Sequence, residues 1–367
     1  MFSQVFSPVR IANLLSLPKP KTQEIQDILK EENLGYAKAS RLLLANPADY
    51  HLILTEAISR RQKKWNGLQV IMPPLYVSDG DKRAGRCLGG CIYCPFDKGS
   101  RQITQMTTEE VINEVKVLLQ MGHGDIELVS AVDRELLNAS RCAEFISAAK
   151  EAGAKHVGLN FFPLKTVNDY RIMVEAGLNF TVVWQETYDR MIYGQVHPKG
   201  YKADMDFRLN AHDRAIAGGV KAVGVAFLGG INPDWRFDAL SAIYHALYLS
   251  REKGAKIIFG TPRIKPAEGM DFQPAPYTDD EFSLVGAIYS LVIPDALLWW
   301  ATRESREVNA QAAQGGGGLF TIVSETKVAG YTGGSGQSQF PVHRYELDEG
   351  ITWLKNYGFN PVIHLPW

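Results

Sequence analysis

Residues 87–96 read Cys-Leu-Gly-Gly-Cys-Ile-Tyr-Cys-Pro-Phe, so three of the four cysteines of this chain stand within eight residues. The fourth, Cys142, follows Cys94 by 48 residues and lies in a stretch with helical periodicity. A structural zinc site normally closes with four ligands, so three thiols in one loop leave a metal position open. In an iron–sulfur cluster, that open position is an iron to which a small molecule can bind. The spacing therefore indicates one cluster with an open iron.

Two other interpretations of these cysteines are weaker. A disulfide framework is typical of short secreted chains, whereas this chain has 367 residues and only four cysteines. Three incidental thiols would rarely fall so close together.

Outward from the cysteines, strand-like runs alternate with helical runs. The predicted strands are 68–72, 126–129, 156–160, 180–185, 222–228, 256–260 and 297–300. The predicted helices between or after them are 108–121, 139–152, 166–176, 207–217, 237–253 and 279–293. This alternation predicts an α/β fold with parallel strands, and the closed solution is a TIM-type (β/α) barrel. The cysteine loop follows the first predicted strand, and the carboxyl ends of barrel strands are where active sites lie.

The chain is expected to have three parts. Residues 1–66 carry helical periodicity and form an N-terminal helical extension, and residues 67–345 form the barrel. Residues 346–367, with a helix over 347–357 and an apolar end, pack on the barrel. The glycine runs at 315–318 and within 330–336 are interpreted as flexible connectors.

Composition excludes several classes of partner. With 39 basic and 40 acidic residues the net charge is −1, so no global field attracts nucleic acid or a membrane surface. The N-terminus lacks the pattern of a signal peptide, and no segment approaches 18 uninterrupted apolar residues. We therefore expect a soluble cytoplasmic protein with a small-molecule substrate, a compartment that also suits reduced thiols.

Four further motifs accompany the C-x3-C-x2-C loop. They are Pro73–Ser78, Trp184–Asp189, Asp206–Leu209 with Asp213 and Arg214, and Ala301–Ser305. The cysteine loop, with its aromatic residue before the last cysteine, resembles that of the radical S-adenosylmethionine (SAM) superfamily. The whole set is similar to the aromatic amino acid lyase branch, which includes the 2-iminoacetate synthases and the thiopeptide tryptophan lyases. The resemblance runs from about residue 70 to residue 345.

This resemblance implies a function. It implies reductive cleavage of SAM to a 5′-deoxyadenosyl radical, followed by carbon–carbon bond cleavage of tyrosine or tryptophan. The implied cofactors are one 4Fe-4S cluster and SAM, and the implied electron donor is a flavodoxin or ferredoxin. Two alternatives stay open: a radical SAM enzyme of cofactor biosynthesis with a different small substrate, and a non-catalytic metal-binding scaffold.

The resemblance also assigns roles to residues. The cluster ligands would be Cys87, Cys91 and Cys94. The residues that bind SAM would be Glu186, Arg208, Ser130 and Tyr93. At the substrate, Arg303 would hold the carboxylate, and Tyr76 and Thr321 would flank the backbone of the amino acid.

Each charged candidate also has an ordinary structural interpretation. Glu186 could be a strand-end carboxylate facing solvent, and Arg208 could form a surface salt bridge. Arg303 follows an apolar strand, where an unpaired buried charge is costly, so Glu304 or Glu307 could be its structural partner. His197, in the turn His-Pro-Lys-Gly, is expected to be solvated.

Three departures from the family pattern limit the assignment. Residues 77–86 insert a polar segment before Cys87, which is expected to reshape the mouth of the site. After the second predicted barrel strand, relatives carry a Gly-Glu pair for the SAM ammonium, and this chain offers only Ser130 and Asp133. The hydrogenase maturases need a second cysteine trio near the C-terminus, and no cysteine follows Cys142, so that activity is not expected.

Overall fold

A parallel ten-stranded sheet forms the centre of the computed structural model, which describes residues 1–266, 270–322, 324–334, 338–340, 342 and 346–367. In chain order the strands are β1 (Leu68–Ile71), β2 (Pro74–Ser78), β3 (Asp125–Ser130), β4 (His156–Asn160), β5 (Leu178–Val182), β6 (Ala222–Ala226), β7 (Lys256–Gly260), β8 (Leu297–Trp300), β9 (Gly318–Phe320) and β10 (Asn360–Val362). The seven predicted strands are confirmed, and β2, β9 and β10 are additional.

The order of the strands explains how the sheet closes. It runs β10-β1-β9-β8-β7-β6-β5-β4-β3-β2, and every pair is parallel. Only Met72 and Pro73 separate β1 from β2. The Met72 N–H donates to Phe320 in β9 at 3.0 Å, and the Pro73 carbonyl accepts from Glu127 in β3 at 3.2 Å. One extended segment thus pairs with β9 through its first half and with β3 through its second half. The sheet curls into a TIM-type (β/α) barrel, as predicted.

Helices cover the outside of the sheet. They are α1 (Phe2–Val5), α2 (Pro8–Leu15), α3 (Thr22–Leu29), α4 (Tyr36–Leu43), α5 (Tyr50–Trp65), α6 (Thr108–Gln120), α7 (Ala139–Glu151), α8 (Val167–Glu175), α9 (Arg190–Val196), α10 (Met205–Leu209), α11 (Ala211–Ala217), α12 (Trp235–Leu247), α13 (Asp279–Val292), α14 (Arg306–Ala313) and α15 (Leu347–Asn356). Capping boxes start α6, α8 and α13, because Thr107, Thr166 and Thr278 each exchange hydrogen bonds with an acidic residue three positions later. No helix in the described ranges is long and apolar enough to cross a membrane.

The predicted helix over 207–217 is interrupted. Asn210 separates α10 from α11, and its side chain accepts from the Ser3 N–H at 2.9 Å and donates to the Ser3 hydroxyl at 2.8 Å. An amide that bonds to another segment of backbone competes with the helix at this position. The break leaves Arg208 on the short helix α10.

The N-terminal helices pack against α12 and α13, outside the barrel. The ring of Phe2 stacks on His245 of α12 with 3.9 Å between ring centroids. The Phe2 N–H donates to the Asp213 carboxylate at 2.9 Å, and Arg61 of α5 donates to the Ala312 carbonyl at 2.9 Å.

The apolar C-terminal end closes the barrel at the amino ends of the strands. Strand β10 pairs with β1, and Leu365 joins the apolar cluster inside the barrel. The Asp125 carboxylate at the start of β3 accepts from the Leu365 N–H at 2.6 Å and lies 3.0 Å from Nδ1 of His364.

The glycine run Gly315–Gly318 is a packed turn, so its interpretation as a flexible connector is wrong. Gly315, Gly316 and Gly317 are buried and have φ angles of 87°, 91° and 75°, which favour glycine. A Cβ on Gly316 would stand 2.7 Å from the backbone of Gly67. The turn feeds directly into β9. Of the second glycine stretch, 330–336, residues 335 and 336 lie outside the described residues.

Candidate functional site

A cavity of about 190 Å³ opens at the carboxyl ends of the strands. All ten candidate residues from the sequence line it: Tyr76, Cys87, Cys91, Tyr93, Cys94, Ser130, Glu186, Arg208, Arg303 and Thr321. They come from positions as far apart in the chain as β2 and the residue after β9. The fold therefore brings the predicted cluster, SAM and substrate residues to one place.

Backbone contacts hold the cysteine loop at the edge of this cavity. Gly90, with φ of 84°, passes so close to the neighbouring loop that a Cβ would lie 1.7 Å from the Lys199 carbonyl oxygen. The N–H groups of Gly89 and Val132 donate to Cys87 Sγ at 3.3 and 3.2 Å. Such donors stabilise a thiolate, the form that binds metal.

The three thiols fit a cluster better than a single ion. A Cβ on Gly89 would stand 3.3 Å from Cys87 Sγ and 3.5 Å from Cys91 Sγ, so the missing side chain leaves space between the two sulfurs. Within the described residues, the one group of three His, Cys, Asp or Glu ligand atoms that lie within 4.8 Å of one another does not include the cysteines. Thiolates around one zinc ion would be closer than that, because each Zn–S bond is about 2.3 Å.

The thiols also need a cation to ionise. Burial, with a smaller effect of the neighbouring thiolates, raises the pKa of Cys87 to about 12 and that of Cys94 to about 11. A bound iron cluster supplies the missing positive charge. Cys142 lies elsewhere, in α7, where its thiol donates to the Leu136 carbonyl at 3.3 Å.

Glu186 has an unusual backbone and two cationic neighbours. It follows the extension of β5 with a φ of 73°, a left-handed conformation that is uncommon for a residue with a Cβ. Lys202 Nζ donates to Glu186 Oε1 at 2.9 Å, and Arg208 lies 3.8 Å from the same oxygen. Burial opposes ionisation, but the charges of Lys202 and Arg208 outweigh it and lower the pKa of Glu186. The side chain is buried rather than turned to solvent.

Arg208 is buried too and is not part of a surface salt bridge. Its guanidinium donates to the Trp184 carbonyl, while its Nε has no hydrogen-bond partner within the described part of the chain. Burial lowers the pKa of Arg208, but the neighbouring Tyr193 and Glu186 raise it by more. A ligand carboxylate could satisfy the remaining donors of this planar group.

Tyr93 reaches out of the cysteine loop to His197. Its hydroxyl lies 3.0 Å from Nε2 of His197, which caps the end of α9. The expectation that His197 is solvated is wrong, because only 1% of its surface is exposed and burial lowers its pKa to about 3. The neutral ring positions Tyr93 against the cavity.

Arg303 has no carboxylate partner among the residues that the structure describes. Glu304 is bound instead by Arg263, whose Nε donates at 3.0 Å, and by Lys265 at 2.8 Å. The guanidinium of Arg303 lies 3.4 Å above the ring centroid of Phe340. Burial lowers the pKa of Arg303, so its charge is held in the cavity at a cost.

The remaining predicted residues are placed around Arg303 and the cysteines. The Tyr76 hydroxyl donates to Gln339 Oε1 at 2.9 Å, and Nε2 of Gln339 donates to Cys94 Sγ at 3.7 Å. Thr321 lines the cavity directly after β9. The Ser130 hydroxyl also lines it, donating to the Ala131 carbonyl at 2.6 Å.

Two sequence features of this region do not contribute to the lining of the cavity. Asp133 does not line the cavity, because its carboxylate already accepts from the Ser78 hydroxyl at 2.8 Å and from the Glu135 N–H at 3.0 Å. Residues 77–86 do not line it either. They fold beside the cysteine loop around the buried Asp79, which binds Arg101 at 2.8 Å.

Other lining residues were not anticipated from the sequence: Glu127, Asn160, Trp184, Lys202, Trp299 and Gln339. Glu127 had a visible signal, since it is a carboxylate within an apolar strand. It shares the inward-facing parity of Val129. Lys202 and Gln339 lie in loops whose paths no periodicity predicts.

Comparison with known proteins agrees with this geometry. Residues 83–242 match the model of the radical SAM superfamily. The chain is 27% identical over 296 residues to 2-iminoacetate synthase of Escherichia coli (strain K12), covering 79% of this chain and 76% of that one. It is 26% identical over 348 residues to 2-iminoacetate synthase of Salmonella typhimurium, covering 92% and 89%.

The fold is similar to that of HydG, a maturase of the FeFe-hydrogenase. The TM-score is 0.87 with 25% sequence identity, and the match covers 97% of this chain and 80% of that one. The cysteine loop, the barrel and the matched relatives confirm the resemblance found in the sequence. Residues 83–242 thus match the radical SAM superfamily, and the chain is similar over most of its length to 2-iminoacetate synthase and HydG.

Proposed function

We propose that this protein is a carbon–carbon lyase that acts on an aromatic α-amino acid, tyrosine or tryptophan. The observation that carries the proposal is the Arg303 guanidinium, which lines the same cavity as the three cysteines and has no carboxylate partner within the described ranges. Arg303 is partly buried, and burial lowers its pKa, so its charge is costly without a partner. A substrate carboxylate bound through two parallel hydrogen bonds would offset that cost.

The residues around the cysteines would hold the cofactors. Cys87, Cys91 and Cys94 would bind three irons of a 4Fe-4S cluster, leaving the fourth for SAM. Lys202 and Arg208 both approach Oε1 of Glu186, so among the described residues Oε2 is left to accept from a hydroxyl or ammonium of SAM. Arg208 would face the SAM carboxylate, with Tyr93 and Ser130 beside the cofactor. When bound, these cofactors supply a radical that abstracts hydrogen from strong bonds.

The remaining residues would position the amino acid and keep water away from it. Arg303 would orient the carboxylate, and the hydroxyls of Tyr76 and Thr321 would hydrogen-bond to the amino acid backbone. Trp184 and Trp299, in edge-to-face contact at 5.6 Å, would form the apolar wall for the aromatic ring. A dry wall removes competing hydrogen donors from the reach of a radical. The electron would come from a small redox protein such as a flavodoxin or ferredoxin.

Anaerobic reconstitution followed by product analysis tests this function. The enzyme is incubated with SAM, a reductant and either tyrosine, tryptophan or no amino acid, and 5′-deoxyadenosine and amino acid fragments are quantified. We expect fragments in proportion to 5′-deoxyadenosine with one of the two amino acids. Cleavage of SAM without fragmentation of either would favour a cofactor-assembly enzyme with another substrate, and bound metal without SAM cleavage would favour a scaffold.

Two cysteine variants serve as controls in the same assay. Cys91→Ala should lose both the bound iron and the cleavage of SAM. Cys142→Ala should keep both, because Cys142 lies in α7, away from the cavity, and its thiol donates to the Leu136 carbonyl. Equal loss in the two variants would contradict the three-ligand site.

A further inference from the structure

Glu127 is a buried carboxyl group of the cavity that the proposed function leaves unused. It lies in β3, lines the cavity and is only 2% exposed. No ion pair joins it to a described cation, and its Oε1 has no hydrogen-bond partner there. The side chain of Asn160, from β4, lines the same cavity and lowers the pKa of the Glu127 carboxyl. Buried carboxyl oxygens without partners are rare in folded proteins, which indicates a ligand that supplies a donor.

The strand register places Glu127 deeper in the barrel than the cluster loop. Val132, five residues further along the same chain segment, donates to Cys87 Sγ. Glu127 pairs with Pro74, while Tyr76 pairs with Val129, so Glu127 lies below Tyr76 by about 7 Å, at a strand rise of about 3.3 Å per residue. Arg303 is near the rim, three residues beyond the end of β8.

An amino acid held at the rim would point its side chain toward Glu127. With its carboxylate on Arg303, its ring would pass between Val129 and the two tryptophans, Trp184 and Trp299, which line the cavity. The far end of the ring would then meet the carboxyl of Glu127.

We propose, on the basis of the lyase function above, that Glu127 with Asn160 determines substrate specificity by accepting a hydrogen bond from a donor at the far end of the aromatic ring. Such a donor is the hydroxyl of a phenol or the N–H of an indole. Burial raises the pKa of Glu127 to about 8, while Asn160 lowers it by less. With or without its proton, the carboxyl keeps an oxygen that can accept.

The inference predicts discrimination against rings that lack the donor. A site built around a buried polar group rejects such analogues, because the group is then left unpaired. Phenylalanine is the matched analogue of tyrosine, and 3-benzothienylalanine, with sulfur in place of the N–H, is the matched analogue of tryptophan.

The experiment measures binding and turnover of these four amino acids by the reconstituted enzyme with SAM present. Glu127→Leu should weaken binding of the donor-bearing substrate by on the order of 10- to 100-fold, the range for a buried ring donor left without a partner, and should leave its analogue nearly unchanged. Glu127→Gln, which keeps an accepting oxygen, should retain part of the preference. Glu109→Leu, a surface change on α6, is the control and should behave as the wild type.

The outcomes separate this inference from the lyase proposal. An equal loss of affinity for substrate and analogue, or equal affinity of the wild type for both, would overturn the role of Glu127 while leaving the lyase intact. Donor-dependent binding that Glu127→Leu abolishes would support the inference even if the wild type did not fragment the amino acid. If no aromatic amino acid bound to the wild type, both would be overturned.

Discussion

At the scale of single residues, Arg303 should decide whether an α-amino acid binds. Lysine keeps the charge but loses the two parallel donors, so Arg303→Lys should weaken substrate binding by about 1.5–3 kcal/mol, with little effect on SAM. The Arg303→Ala variant should still cleave SAM, but without fragmenting the amino acid. The measurements are the KM for the amino acid and the ratio of 5′-deoxyadenosine to fragment.

Two outcomes would contradict this role of Arg303. If Arg303→Ala converted the amino acid with unchanged KM, or if the true substrate had no carboxylate, the lyase proposal would be wrong. Arg306→Lys is the matched control, since Arg306 binds Glu349 on the outer face and does not line the cavity.

We expect Glu186 to affect the binding of SAM and not that of the amino acid. Glu186→Gln removes the charge that lies between Lys202 and Arg208, so SAM affinity should fall by about 1–3 kcal/mol. Equilibrium binding of SAM to the reconstituted protein measures this, with the amino acid KM as the comparison. Unchanged SAM affinity would place Glu186 outside the cofactor site.

The sequence predicted ten residues that line the cavity, but it did not predict all of the residues that line it beside them. Tyr76, Glu186 and Arg303 stand in motifs, and motifs are visible along the chain. Lys202 and Gln339 reach the cavity from loops, and their contacts depend on the path of the backbone after folding. Glu304 illustrates the same limit. It was the expected partner of Arg303 because the two are adjacent in sequence, whereas in the folded chain Glu304 pairs with Arg263 and Lys265.

At the scale of elements, the glycine turn before β9 should be intolerant of a side chain. Gly316→Ala places a Cβ 2.7 Å from the backbone of Gly67 and forces alanine to φ of 91°, which alone costs about 1–2 kcal/mol. We expect a clear loss of unfolding free energy in urea. Gly254→Ala, at φ of 70° with nothing within 4 Å of the added Cβ, isolates the conformational part. Equal losses in both variants would show that the contact with Gly67 does not matter.

Strands with continuous apolar runs were predictable, and strands that begin in loop-like sequence were not. Strands such as β4 and β7 have apolar runs bounded by polar residues, and their bounds were predicted as they are. Strand β2 begins at Pro74 in a Pro-Pro pair, and β9 begins at the last glycine of a run, both of which are typical of loops. Their pairing partners lie far along the chain, so local sequence carries little information about them.

At the scale of the whole molecule, buried histidines should make stability fall in mild acid. Burial lowers the pKa of His123 and of His212 to about 4, and that of His245 well below 6.5. A folded-state pKa below the unfolded one means that the unfolded chain binds more protons as pH falls below 6.5. Each such histidine then costs about 1.4 kcal/mol per pH unit until its folded pKa is reached.

Urea unfolding between about pH 7.5 and about pH 5 measures this dependence. His123→Leu should reduce the slope, since both ring nitrogens of His123 lack partners in the described part of the chain. His51→Leu is the control, because His51 is exposed on α5. An identical slope in wild type and His123→Leu would contradict the prediction.

The alternation of strands and helices predicted the barrel class, but it did not predict how the barrel closes. The insertion of β1 between β9 and β10 joins segments that are hundreds of residues apart, and at Met72 and Pro73 the partner changes from β9 to β3. The C-terminal tail was expected to pack on the barrel, yet its strand and its bonds to Asp125 required the folded chain.

The Gln339 side chain connects a cysteine of the cluster loop to the hydroxyl of Tyr76. Its amide donates to the Cys94 sulfur and its oxygen accepts from Tyr76, a residue proposed to contact the substrate. Hydrogen bonds to ligand sulfurs help to set the reduction potential of an iron–sulfur cluster. An amino acid that draws the Tyr76 hydroxyl away would free Gln339 to reorient, so the potential should shift on substrate binding. Gln339→Leu should lower the resting potential and abolish the shift, as measured by redox titration with and without the amino acid. A shift of the same size in Gln339→Leu would contradict this link. Reduction of the cluster would then depend on bound substrate. This dependence would limit the formation of a radical in the absence of the amino acid.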